Sequence, residues 1–392
     1  MNILFITPRY PNEENGFANP FFKEQAESVS EHHSVTVVSA ELNKNCFSIK
    51  PKYQLIESKS EGLIVHQLSI CKSIPIYNSF NHAQVALKYI GIIIRSQKID
   101  VIHCQNAFIA GYIGYLANKK YGIPYLITQH SYFSIDNDKL LQKQFNPVFK
   151  SKIHEMIIRK SFKKANRLIA VGEMLKNELE VVFNRPVDVV PNVIDTERFN
   201  LPRPSKKSGL KLGFVGNILY NKGLDVLFHA LAKLKDRDFT LIIAGEGREK
   251  DSLIKLAVEL GISDKVSFLG YINPIDLPQF YNGIDVFVLP SRRETFGVVV
   301  IEALSAGVPV ITNPCGGPEY IINEDVGLLY EYCNPQSLCD ALEKFAKTSD
   351  CYNPDIIKQY AKDNYSNSAF NKSISAIYSM VSKSKNTIPP PQ

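Results

Sequence analysis

The sequence predicts an α/β protein made of two doubly wound parallel-sheet domains in tandem. Three observations predict it. Short, wholly apolar runs alternate with amphipathic helical patterns along nearly the whole chain. Runs apolar throughout suit strands covered on both faces, and parallel strands need a crossover helix between them. The alternation is interrupted once, by a polar, proline-bearing connection from Pro191-Asn192-Val193-Ile194-Asp195 to Ser205-Lys206-Lys207-Ser208. The length of 392 residues also favours two cores over one.

In the first block, strands are expected at Ile3–Thr7, Val35–Ser39, Leu63–Leu68, Val101–Cys104, Tyr125–Thr128, Leu168–Val171 and Val187–Val190. Helices are expected at Pro20–Glu31, His82–Ser96, Ala107–Tyr121, Lys152–Ala165 and Glu173–Asn184. The first strand–helix loop, Pro8 to Asn19, carries the single glycine Gly16. It is not a G-x-G-x-x-G turn, which argues against a nicotinamide dehydrogenase. Gly16 reads either as a point where backbone approaches a ligand or as an ordinary loop glycine. His103 and His130 fall at strand C-terminal ends, where open parallel sheets bind their ligands. From Lys150 to Arg167, seven basic residues face the single acid Glu155, with Ile153, Met156, Ile157 and Phe162 as an apolar stripe. That helix reads either as a surface for anionic lipid or as a solvated face packed on the sheet.

A second series starts after the connection, with strands expected at Lys211–Val215, Thr240–Ala244, Val266–Leu269, Ile284–Leu289 and Val308–Thr312. Its helices are expected near Lys222–Lys235, Glu249–Leu260, Ile275–Tyr281 and Val298–Ala306. The most informative stretch is Ser291-Arg292-Arg293-Glu294-Thr295-Phe296-Gly297, which joins an apolar strand to a helix stopped by Gly307 and Pro309. N–H groups around Phe296, Gly297, Val298 and Val299 would point into the crevice, where the helix dipole favours an anion. Glu294 and Glu302 would repel a phosphate, so they should accept hydrogen bonds from hydroxyls. A ligand with both phosphate and sugar hydroxyls satisfies the whole set. Lys222, at the end of the loop Gly216-Asn217-Ile218-Leu219-Tyr220-Asn221, would counter a diphosphate as a point charge. Gly270 and Tyr271 close another strand at the same edge, where backbone could read a base.

Net charge is +6, a mild excess that fits phosphate-bearing ligands and does not argue for nucleic acid. The first residues already read as a strand, so no signal peptide is expected, and no run approaches the ~20 apolar residues of a spanning helix. The seven cysteines are scattered without C-x-x-C spacing. Reduced thiols, no metal site and a cytoplasmic location, either soluble or peripheral at the inner face of the membrane, are the expectation.

Taken together, these motifs resemble retaining nucleotide-sugar glycosyltransferases of the GT-B type, family 4. The resemblance covers nearly the whole chain and is strongest from Gly213 to Tyr330. It rests on Glu294 and Glu302 with seven residues between them, on Gly316-Gly317-Pro318-Glu319, and on the hinge Pro191-Asn192-Val193-Ile194-Asp195. It implies an acceptor-binding domain over residues 1–196, with a helix near 366–384 packing back on it. It implies a nucleotide-sugar domain over 197–365, and residues 385–392 read as a disordered tail.

By position, Glu294 would contact donor-sugar hydroxyls and Glu302 the ribose. Phe296, Gly297 and Val298 would bind sugar and diphosphate through N–H groups, and Lys222 would neutralise the leaving group. Gly270 and Tyr271 would meet the base, His130 would lie beside the donor sugar, and Gly16 near the phosphates. One departure stands out: the family usually carries Arg where this chain has Asn217, which leaves the diphosphate clamp one cation short. Arg292 or Arg293 is the candidate replacement. The resemblance implies transfer from a nucleoside-diphosphate sugar, by default a UDP-sugar, to a saccharide or lipid-linked saccharide. It implies no cofactor and no metal. An epimerase of the same architecture and a non-catalytic nucleotide-sugar-binding partner are the alternatives.

Overall fold

A computed structural model describes residues 1–11, 20–48, 52–60, 62–72, 78–132, 152–204, 209–234 and 236–384. Gly16, the stretch 133–151 and the expected tail 385–392 lie outside them. The described chain divides into two units, one formed by residues before Ile194 together with Phe370 onward, the other by Ile194–Ala369.

The first unit holds β1 (Asn2–Thr7), β2 (Ser34–Phe47), β3 (Tyr53–Ser60), β4 (Leu63–Lys72), β5 (Val101–Gln105), β6 (Tyr125–Gln129), β7 (Arg167–Ala170) and β8 (Asp188–Val189). Their order in the sheet is β3-β4-β2-β1-β5-β6-β7-β8. The chain grows outward from β1 in both directions, so the strand order reverses between β1 and β5. All described pairings are parallel except β3 against β4. β3 was not anticipated as a strand. All eight of its residues are exposed, so it carries no burial pattern for a sequence reading to detect.

The core is made where Phe5, Val35, Val101, Leu126 and Ile169 meet Phe370, Ile374, Tyr378 and Val381 of the last helix, Asn367–Lys383. The helix expected over Ala107–Tyr121 begins as a π-helix, Ala107–Gly111, and becomes α-helical only at Tyr112. The residue before it, Asn106, has φ 74° and ψ 152°.

The expectation that every cysteine is a free thiol is corrected: Cys46 and Cys71 form a disulfide. β2 runs eight residues beyond its anticipated end, and a register shift against β4 between Asn43 and Phe47 carries Cys46 to the level of Cys71. Their Cα atoms are 4.8 Å apart, within disulfide range. The remaining five cysteines are not in disulfides.

The second unit holds β9 (Leu210–Val215), β10 (Phe239–Ala244), β11 (Val266–Gly270), β12 (Val286–Leu289), β13 (Val310–Thr312) and β14 (Gly327–Leu329), in the order β11-β10-β9-β12-β13-β14. Every described pairing is parallel. Here the order reverses between β9 and β12, whose neighbouring registers set Val286 beside Leu212 and Phe287 beside Gly213. The loops after β9 and β12 therefore emerge side by side. Lys222 lies on the first and Glu294 on the second, 72 residues apart in sequence.

Candidate functional site

Two loops at the reversal point of the second sheet build the site, and they are fastened to each other before any ligand enters. Gly223 sits at φ 68° between the 3-10 turn Tyr220–Lys222 and the helix Leu224–Ala232. A Cβ there would run into the Pro290 carbonyl, so this close approach requires glycine. Arg292 spans the same gap. Its guanidinium donates to Asp225 Oδ1 at 2.7 Å and Oδ2 at 2.6 Å, and to the Tyr220 carbonyl at 2.8 Å. The group lies 4.0 Å over the Tyr220 ring. A bidentate, stacked arginine of this kind ties structure together. Asp225 meets the charge of Arg292, the candidate for the cation missing at Asn217. Arg293 is half-buried beside it.

With the loops fixed, Lys222 Nζ lies 2.5 Å from Glu294 Oε2, both side chains less than one-fifth exposed. Glu294 is anchored through its N–H to the Cys315 carbonyl at 3.0 Å. Beyond it, Gly297 takes φ 96° and the helix Val298–Ser305 begins with no side-chain cap. Phe296 is buried against Tyr365, with ring centroids 5.9 Å apart, and Gly317 abuts the Phe296 backbone. Glu319 accepts the Gly316 N–H through both oxygens, at 2.9 and 3.0 Å. Val298 is half-buried at the first turn, so a ligand would meet N–H groups there rather than a capping side chain.

Glu302, one turn further along, is buried and accepts a 2.7 Å hydrogen bond from Tyr281 O–H. Burial raises its pKa above the usual carboxylate range, while the Tyr281 hydrogen bond and the charge of Arg198 work to lower it. At the end of β11, Gly270 takes φ 75°, and a Cβ there would meet the Glu246 carboxylate. Tyr271 is 61% exposed and Asn217 is exposed, both on the same sheet edge. Asp225, Tyr281 and Glu246 escaped the sequence reading. A carboxylate in a first helical turn and a tyrosine in an apolar helix look like ordinary capping and core residues until the loops are paired.

The first unit supplies its own polar cluster at the C-terminal edge of β5 and β6. His130 is 8% exposed and stacked on Phe21, with ring centroids 4.7 Å apart. Its Nε2 is 2.7 Å from Gln105 Oε1, and its backbone N–H donates to Asn106 Oδ1 at 3.3 Å. His103 is fully buried between Tyr378 O–H and Thr128 Oγ1, each 2.7 Å away, as a core residue would be. Burial depresses both imidazole pKa values to about 3, so both rings are neutral at ordinary pH. Among the described residues no group of three or more His, Cys, Asp or Glu is placed to hold a metal ion. None of the described helices is long and apolar enough to cross a membrane.

Residues 194–364 match the family model described as glycosyl transferases group 1, and residues 22–198 match glycosyltransferase family 4. An uncharacterized glycosyltransferase of Methanocaldococcus jannaschii is 32% identical over 266 residues, 63% of this chain and 66% of that protein. A D-inositol 3-phosphate glycosyltransferase of Saccharomonospora viridis is 30% identical over 275 residues, 63% of this chain and 62% of that protein. The matched region thus spans a little under two thirds of these relatives' lengths. Among solved structures, sucrose-phosphate synthase from Thermosynechococcus elongatus superposes with TM-score 0.75 at 18% identity, over 98% of this chain and 100% of that one. Anabaena HepE in complex with UDP superposes with TM-score 0.72 at 17% identity, over 97% and 100%. The two family matches together run from residue 22 to residue 364, one on each half of the chain, and the architecture is the two-domain GT-B fold of these solved structures.

Proposed function

We propose that the chain is a retaining glycosyltransferase that moves a sugar from a nucleoside-diphosphate donor to a hydroxyl of a saccharide or lipid-linked saccharide, in cell-surface polysaccharide assembly. The observation that carries this reading is the Lys222–Glu294 pair, set beside an uncapped helix start and one turn from the buried Glu302. A cation with N–H donors suits a diphosphate, and carboxylates suit hydroxyls, which supports this reading. UDP is the favoured nucleotide, and the HepE complexes with UDP and UDP-glucose support that preference.

On this reading the donor separates the ion pair. Lys222 turns to the diphosphate and, with the N–H groups of Phe296 to Val299, stabilises the charge that develops as it leaves. Glu294 accepts from the sugar hydroxyls, and Glu302 from the ribose. Gly270 and Tyr271 meet the base, while His130 and Gly16 belong to the donor site by resemblance. The acceptor attacks from the face the diphosphate departs, and the departing phosphate takes the acceptor's proton, which retains the configuration. Lys222 fills the role that a divalent ion takes elsewhere, so no cofactor is invoked. The exposed basic residues Arg159, Lys160, Lys163 and Lys164 of the helix Lys152–Lys164 would favour an anionic lipid surface, in keeping with a lipid-linked acceptor at the cytoplasmic face.

A thermal-shift screen across UDP-, GDP- and ADP-sugars tests donor binding, since a ligand of the folded state raises the midpoint. NMR of the product then reads the anomeric configuration. A sugar isomerised by the enzyme alone would favour an epimerase instead. Binding without turnover on any acceptor would favour a silent nucleotide-sugar-binding partner.

A further inference from the structure

We propose that Gln105 is a positioning residue that holds His130 as its Nε2–H tautomer, so that Nδ1 stays an acceptor for a substrate hydroxyl. The inference rests on the reading that His130 belongs to the sugar-transfer site.

Gln105 ends β5 and is fully buried. Its amide nitrogen donates to Gln25 Oε1 at 2.9 Å, and Gln25 Nε2 in turn donates to Asn192 Oδ1 at 3.1 Å. Both partners are themselves buried, so this chain of amides is closed to solvent. With its nitrogen spent on Gln25, Gln105 turns its oxygen to His130 Nε2 at 2.7 Å. An amide oxygen only accepts, so the hydrogen sits on Nε2. A neutral ring carries one such hydrogen, which leaves Nδ1 a bare lone pair.

Nδ1 is buried and makes no hydrogen bond of good geometry among the described residues, Asn192 being the other side chain whose oxygen faces the ring. A buried acceptor left unmade is costly, and a hydroxyl donor would satisfy it. The ring is not free to turn. Phe21 stacks on it at 4.7 Å and Phe22 meets it edge-on at 5.1 Å. His130's own backbone N–H donates to Asn106 Oδ1, from a residue whose φ of 74° and ψ of 152° lie in a region close to glycine-only. Strain of that kind persists where the surroundings over-determine it.

The groups around the ring are Phe21, Phe22, Gln25, Gln105, Asn106 and Asn192, all uncharged, and the titratable neighbour His103, also neutral. Glutamine suits this place in a way glutamate does not. A carboxylate opposite Nε2 would draw a second proton onto the ring and abolish the acceptor.

The full chain with 15N-labelled histidine, read by long-range 1H–15N correlation, tests the tautomer, with His130→Gln identifying the signal. Nε2 should be protonated, Nδ1 bare, and the ring untitrated between about pH 5 and pH 8. Gln105→Glu should introduce an acid limb, kcat falling as pH falls, while donor KM changes little. Gln105→Leu should mix the tautomers and lower kcat about tenfold, the loss of roughly one hydrogen bond. UDP thermal shift on the same variants shows that folding and nucleotide binding persist. An Nδ1–H ring in the wild type, or a flat pH profile in Gln105→Glu, would overturn the proposal even if Gln105→Leu fails to fold. The predicted tautomer without transfer from any nucleotide sugar would leave the Gln105–His130 arrangement standing and overturn the functional reading.

Discussion

Lys222 and Glu294 neutralise each other across the two loops that emerge where the second sheet reverses its strand order, Nζ to Oε2 at 2.5 Å. A donor bound as proposed must take each partner from the other. Glu294→Gln should therefore release Lys222 and tighten UDP binding, while lowering kcat with the intact sugar donor. Calorimetry with UDP decides it; weaker UDP binding in this variant would count against the pairing as a resting state. Lys222→Ala should lower kcat by about a hundredfold, the scale of losing one preorganised donor to a leaving group. Chelator should leave wild-type activity unchanged.

The Arg292–Asp225 bidentate pair separates a structural arginine from a ligand-binding one. Arg292→Ala should cost about 2 kcal/mol of stability, the worth of charge-assisted hydrogen bonds, read as a lowered denaturation midpoint. Arg293→Ala should raise donor KM. Loss of stability from Arg293→Ala with kinetics unchanged would reverse the assignment.

Asn217 is exposed on the same edge as Lys222, so a longer side chain meets no packing barrier there. Asn217→Arg should tighten UDP about tenfold by completing the cation pair. Titration of UDP into both proteins checks this, and an unchanged Kd would mean that the charge is already supplied elsewhere.

Glu302 links nucleotide binding to pH. Its pKa is raised by burial, and the carboxylate form is the one that accepts from a diol. Nucleotide affinity should therefore fall as pH drops through that raised value, on a limb above the usual 4.5. Tyr281→Phe removes a hydrogen bond that favours the carboxylate, and should move the limb to higher pH. The stability term has the opposite sense. The folded state holds the Glu302 proton more tightly than the unfolded chain, so stability falls as pH rises from 4.5 through the folded value. An identical limb in Tyr281→Phe would remove Tyr281 from the account.

The Cys46–Cys71 bridge closes a loop over a sequence separation of 25 residues. On loop-entropy grounds its reduction should cost about 3 kcal/mol. Peptide mapping of the unreduced protein should recover the two cysteines linked, and reductant should lower the melting midpoint of the first unit. Free thiols at both positions in freshly purified protein would set the bridge aside.

Much of the fold was legible because parallel strands buried on both faces are apolar end to end, and because helix stops such as Gly307 and Pro309 mark their own positions. β3 was not legible, since an exposed edge strand buries nothing and so has no pattern. Nor was the π-turn after Asn106, which depends on a single strained residue held by its surroundings. The bridge was hidden too, because Cys46 and Cys71 meet only through a register shift between neighbouring strands.

What the sequence supplied by itself was a set of candidate residues for the chemistry. Glu294 and Glu302 at their spacing, Lys222 at a loop end, and His130 past a strand end follow from local patterns that short-range backbone geometry enforces. Which of them touch was decided by tertiary structure alone. The strand order brings Lys222 to Glu294, commits Arg292 to Asp225, buries Glu302 beneath Tyr281, and sets Gln105 against His130. Charge pairing, desolvation and tautomer all depend on distance between residues far apart in the chain, and only the folded sheets set that distance.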